Sequence, residues 1–117
     1  MHYATVLKTG NDLKIAKSEF WEIRNDKKVN RSFVLLAETK EGFPICVQKI
    51  DGEKYIASLM KCTHRGCELN VGGGIYTCPC HGSEFSLSGK VLEGPADTNL
   101  KTYETKTDDE YIYILNA

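Results

Sequence analysis

The sequence predicts a single all-β domain. Three observations predict it. Short segments with strand composition recur along the chain, Asp51-Gly52 is a strong two-residue hairpin signal, and 117 residues are enough for one core but argue against two. In order, residues 3–7 and 13–16 are expected as short strands. Residues 18–21 are expected as a turn or one helical turn, with Trp21 in the core. Residues 33–38 form an apolar strand, and residues 44–50 and 54–60 flank the Asp51-Gly52 hairpin turn. Residues 100–105 and 111–115 are strands either side of a polar turn at Asp108-Asp109. Cys46 falls within a strand pattern and is most simply a buried small hydrophobe. No internal repeat, low-complexity stretch or linker divides the chain.

Composition excludes several function classes. The net charge is −1, so no general attraction to nucleic acid or to an anionic membrane follows. No apolar run approaches the roughly 18 residues of a membrane span, and the opening Met1-His2-Tyr3 does not read as a signal peptide. No separate nucleophile, acid–base pair or substrate-pocket signature stands out.

The informative segment is residues 61–96. It holds Cys62-Thr63-His64-Arg65-Gly66-Cys67 and Cys78-Pro79-Cys80-His81-Gly82-Ser83. Each loop brings one cysteine and one histidine at tight spacing, Cys62-x-His64 and Cys78-x-x-His81, plus a further cysteine, Cys67 or Cys80. Two thiolates with two imidazoles suit few centres. One is zinc. The other is a [2Fe–2S] cluster in which two histidines replace two cysteines on one iron. Gly66, Gly82 and the Gly72-Gly73-Gly74 run fit tight turns in which backbone amides approach sulfur closely. The alternative for His64 and His81 is a pair of hydrogen-bonded loop histidines, which this spacing disfavours.

CTHRGC and CPCHGS, followed by Gly89 and then Gly94-Pro95-Ala96, resemble the Rieske iron–sulfur domain. The resemblance implies an antiparallel β-sandwich or barrel carrying a small two-loop cluster-binding subdomain. Residues 1–60 and 97–117 would be the base, and residues 61–96 the cluster-binding excursion, with both histidines exposed at its tip. It implies that Cys62 and Cys78 hold one iron and His64 and His81 the other. It also implies a Cys67–Cys80 disulfide like that of Rieske proteins in cytochrome bc-type complexes, against the alternative of two buried free thiols. The loop containing Pro95 would shield the cluster from a third side.

Two positions bear on the potential, and one on docking. Ser83 matches the family serine whose hydroxyl points at a bridging sulfide. Phe85 stands where high-potential members carry a tyrosine that donates to a ligand cysteine, so one of two hydroxyl donors is missing. A potential below the highest Rieske centres, yet above the ferredoxin class, is expected. Arg65 stands where quinol-oxidising members usually have leucine, which makes the docking tip charged and more like the oxygenase loop.

The function expected is one-electron transfer by a Rieske [2Fe–2S] cluster, in a soluble domain or a subunit of a respiratory or periplasmic oxidoreductase, of bc-type or arsenite-oxidase type. The alternatives are a soluble Rieske ferredoxin feeding an oxygenase and, more distantly, a zinc-binding structural module. The expected partner is a cytochrome or oxidoreductase subunit, with quinol also considered. A persistent disulfide points to the periplasmic or exported side of a membrane, with the cytoplasm as the alternative. An anchor or export signal would lie outside these residues.

Overall fold

A computed structural model describes residues 2–117. The strands are β1 (Leu7–Thr9), β2 (Asp12–Ala16), β3 (Trp21–Arg24), β4 (Lys27–Asn30), β5 (Phe33–Leu36), β6 (Ile45–Asp51), β7 (Lys54–Leu59), β8 (Asn70–Gly72), β9 (Ile75–Thr77), β10 (Glu84–Ser86), β11 (Val91–Glu93), β12 (Thr102–Tyr103), β13 (Thr105–Thr107) and β14 (Tyr111–Ile114). Among the described residues the only helical element is a 3₁₀ turn, Lys17–Phe20. The strands form three four-stranded antiparallel sheets, β1-β2-β14-β13, β12-β7-β6-β5 and β11-β10-β9-β8, and a separate β3-β4 ribbon.

The β12-β7-β6-β5 sheet is the middle layer, and its strands explain why. Successive side chains of a strand point to opposite faces. Val34, Leu36, Ile45, Val47, Ala57 and Leu59 face one way and join Leu13, Ile15, Ile112 and Ile114 of the β1-β2-β14-β13 sheet in one core. Leu35, Cys46 and Met60 face the other way and join Tyr76 and Phe85 of the β11-β10-β9-β8 sheet, and Cys78 of the loop between β9 and β10, in a second core. Both faces are covered, so β5 and β6 read as apolar runs rather than as alternating ones.

A polar contact seals the second core. Buried Gln48 donates through Nε2 to Tyr76 Oη at 3.2 Å and to Cys46 Sγ at 3.4 Å, tying β6 to β9. Burial, the dominant effect, raises the Cys46 thiol to about 11 and pushes the Tyr76 phenol well above its ordinary range. Cys46 is fully buried, as a small hydrophobe would be, but its sulfur also accepts a hydrogen bond.

Several expectations need correction. Trp21 is not core: it is 38 % exposed, with Lys28 Nζ 4.9 Å from its ring centroid, and Phe20 takes the buried place. The strand expected at 3–7 is an isolated Tyr3–Leu35 bridge followed by β1. The strand expected at 100–105 divides into β12 and β13, which belong to different sheets. The hairpin expected at Asp51-Gly52 forms, but Asp51 still pairs with Lys54, so its two turn residues are Gly52 and Glu53; the turn before β14 forms as expected.

Candidate metal centre

The two cysteine-histidine loops are backbone copies of each other. In the first, Cys62 N–H donates to Cys67 O at 2.8 Å and Gly66 N–H to Cys62 O at 2.9 Å. In the second, Cys78 N–H donates to Ser83 O at 2.8 Å and Gly82 N–H to Cys78 O at 3.0 Å. Gly66 and Gly82 sit at φ 76° and 80°, the left-handed region that closes such a loop without a Cβ penalty. The equivalence sets Gly66 against Gly82 and Cys67 against Ser83.

The loops set the Cys62 thiol against the Cys78 thiol and the His64 ring against the His81 ring. Cys62 and Cys78 are buried, at 2 % and 3 % exposure, and both are free cysteines. The His64 and His81 rings stand edge to face, with centroids 5.1 Å apart. His81 is exposed and His64 half-buried, so only one of the two histidines lies fully open. The Nδ1 of His64 is buried without a hydrogen-bond partner, a costly arrangement for a polar nitrogen unless something else binds it. Burial raises the Cys78 thiol. Hydrogen bonds from the Cys80 backbone N–H, the Cys62 thiol and the His81 backbone N–H outweigh that and hold its pKa below the ordinary thiol value. An orphaned imidazole nitrogen on a loop that also carries a buried free thiol fits a metal centre with mixed sulfur and nitrogen ligands.

Cys67 and Cys80 are joined by a disulfide, S–S 2.01 Å. Their sulfurs lie within 4.8 Å of Cys78 Sγ. Each is committed to its partner, so this three-cysteine group is not itself a ligand set.

The remaining expected residues surround the loops. Ser83 is fully buried, and its Oγ accepts the Ala96 N–H at 3.0 Å, which leaves the hydroxyl proton to donate elsewhere. Phe85 is fully buried on β10 opposite Tyr76, in the core that also holds Cys62 and Cys78. Arg65 is exposed, and exposed Pro95 follows a cis Gly94-Pro95 bond. One contact had no signal in the sequence. Thr63 Oγ1 donates to Thr98 O at 2.5 Å, linking the first loop to the segment after Pro95. Its acceptor is a backbone carbonyl, which any residue carries.

A family model describing the Rieske [2Fe-2S] domain matches residues 15–104. The chain is 35 % identical over 109 residues to the cytochrome b6-f complex iron-sulfur subunit of Nostoc punctiforme, covering 90 % of this chain and 57 % of that protein. It is 35 % identical to the crystal structure of the plasma membrane Rieske protein PetC3 from the cyanobacterium Synechocystis, with TM-score 0.62, covering 71 % of this chain and 85 % of that one. A ferredoxin of Sphingomonas yanoikuyae matches at 25 % identity and TM-score 0.55, covering 72 % of this chain and 84 % of that one. The chain spans 57 % of the length of such a curated relative as the Nostoc subunit. With a family model matched across most of its length and two cysteine-histidine loops folded against each other, the chain belongs to the Rieske [2Fe-2S] domain family, whose members bind a [2Fe–2S] cluster.

Proposed function

We propose that the chain is a one-electron carrier whose [2Fe–2S] cluster is held by Cys62 and Cys78 on one iron and by His64 and His81 on the other. The observation that carries this is the pairing of two buried free thiols with two histidine rings 5.1 Å apart, one with an orphaned buried Nδ1. When bound, the cluster supplies a one-electron couple, and imidazole ligation places it at about −150 to +300 mV, against about −400 mV for plant-type clusters. The protein does the rest. The backbone N–H groups of Cys80 and His81 favour the thiolate form of Cys78 against the opposing effect of burial. If His64 binds through the buried Nδ1, its Nε2 is left to hold a proton, which couples potential to pH. His81 is exposed, giving an electron a route to a partner.

The partner proposed is a cytochrome or oxidoreductase subunit, supported by the b6-f subunit relatives. The Cys67–Cys80 disulfide supports an oxidising compartment, the periplasmic or exported side of a membrane. No helix among the described residues is long and apolar enough to cross a membrane. Exposed Arg65 favours a second reading, a ferredoxin feeding an oxygenase, because it puts a charge where an apolar quinol contact is expected.

Metal analysis and protein-film voltammetry test the proposal together. Two irons per chain and a wave at about +100 mV or above, falling with pH near neutrality, are expected for the respiratory role. A wave near −150 mV that stays flat until strongly alkaline pH would select the ferredoxin role. Zinc without a wave would overturn both.

Phe85→Tyr is expected to raise the potential. The phenol would enter the core shared with Cys62 and Cys78 and donate to sulfur, stabilising the more negative reduced cluster. A bond worth about 1 kcal/mol more to the reduced state corresponds to about 40 mV for a one-electron couple. Ser83→Ala should shift it by a similar amount in the opposite direction. Unchanged voltammograms for both would show that neither position faces cluster sulfur.

A further inference from the structure

The β3-β4 ribbon belongs to none of the three sheets. Its turn residues Asn25 and Asp26 take φ 51° and 61°, the left-handed pair that a tight two-residue hairpin requires. The register sets Trp21 opposite Asn30 and Ile23 opposite Lys28, which puts Trp21, Ile23 and Lys28 on one face. That face is open: Trp21 is 38 % and Ile23 63 % exposed. On the other face Glu22 is already paired with Arg24 and Arg31. The ribbon, residues 21–30, holds three cations, Arg24, Lys27 and Lys28, against Glu22 and Asp26, and Arg31 follows it directly. The ribbon is therefore locally +1 in a chain of net −1.

We propose that this ribbon docks the domain on the surface of an anionic phospholipid bilayer. Tryptophan and an aliphatic neighbour suit the headgroup boundary, and Lys28 beside them on that face, with Lys27 next to it at the turn, is drawn to anionic lipid. The overall negative charge would repel such a surface, so attraction must be local, and the ribbon is where cations and exposed apolar side chains coincide. Topology makes the docking productive. The ribbon joins the middle sheet through Arg31 and Ser32 at the Phe33–Gln48 end. The first ligand loop leaves it from the opposite end, where Leu36, Ile45 and Leu59 pair. A ribbon seated on lipid leaves the ligand loops free for a redox partner.

Trp21 is the one tryptophan of the chain, so its fluorescence reports on the ribbon alone. With the cluster-loaded protein, vesicles of phosphatidylglycerol mixed with phosphatidylcholine are expected to shift its emission to the blue and to co-sediment the protein. Pure phosphatidylcholine and high salt should do neither. Lys27→Glu with Lys28→Glu should weaken binding at least about tenfold, and Ile23→Ser should weaken it with the charge unchanged. Both changes lie on the exposed ribbon, and an unaltered cluster spectrum would certify the fold. Unshifted emission with phosphatidylglycerol, equal binding to neutral vesicles, or binding that survives these substitutions would each overturn the proposal, whatever the cluster's redox partner.

Discussion

His81→Cys protein is expected to lose the mixed-ligand optical and EPR signature outright. His81 is exposed, so replacing it removes little packing, and surface substitutions ordinarily change stability by no more than about 0.5 kcal/mol. The fold should stay intact while the spectrum changes. If a cluster still assembles, its fourth ligand is an anionic thiolate instead of a neutral imidazole. The added negative charge opposes reduction, and the potential should fall by hundreds of millivolts toward the about −400 mV of all-cysteine clusters. The pH dependence carried by that imidazole should disappear with it. His64→Cys should act alike on the spectrum but cost more stability, because the ring it removes is half-buried with its Nδ1 enclosed. Thermal unfolding beside the optical spectrum separates the two effects. An unchanged spectrum in His81→Cys would remove His81 from the ligand set and return it to the role of a loop histidine.

The contrast between ligand loops and scaffold shows what a sequence can express. The loops are legible because their chemistry requires particular side chains at particular spacings: Cys62 with His64, Cys78 with His81, and a glycine at φ 76° or 80° to close each turn. The hairpin at Asp51-Gly52 is legible for the same reason, since its turn needs a positive φ that glycine supplies. Trp21 and Phe20 show the limit. Both are large and apolar, and composition cannot say which faces in. Phe20 closes the 3₁₀ turn and points inward, and Trp21 starts a ribbon that no sheet covers. The β3-β4 ribbon has little local signal, because its turn, Asn25-Asp26, lacks glycine and its strands carry charge on both faces. The split at Glu104 is a tertiary effect: Thr102 and Tyr103 pair with β7, and Thr105 onward pairs with β14, so one apparent strand serves two sheets. The Gln48–Tyr76 contact joins residues 28 apart, and nothing in local pattern pairs them.

Breaking the disulfide should have the second large effect, and the pattern among variants is more telling than its size. Cys67 directly follows Gly66 of the first loop, and Cys80 directly precedes His81 of the second. The bond between them, at a sequence separation of 13, therefore clamps both proposed ligand loops. Constraining a loop of this length is worth about 3 kcal/mol against the unfolded chain. For a domain of this size that is a fall of about 10 °C in melting temperature. Cys67→Ser, Cys80→Ser and the double variant should each lose about the same amount, because the bond is gone once either sulfur is removed. A reductant should lower the wild-type melting temperature toward theirs and leave the variants where they are. Cluster retention should fall in parallel, since freed loops no longer hold Cys62, His64, Cys78 and His81 in register. If the double variant instead loses the sum of the two single effects, each cysteine is contributing through its own local contacts and not as half of a bond. If reductant leaves the wild type unmoved while the variants melt early, the link is absent from the protein in solution. The argument for an oxidising compartment would fall with it.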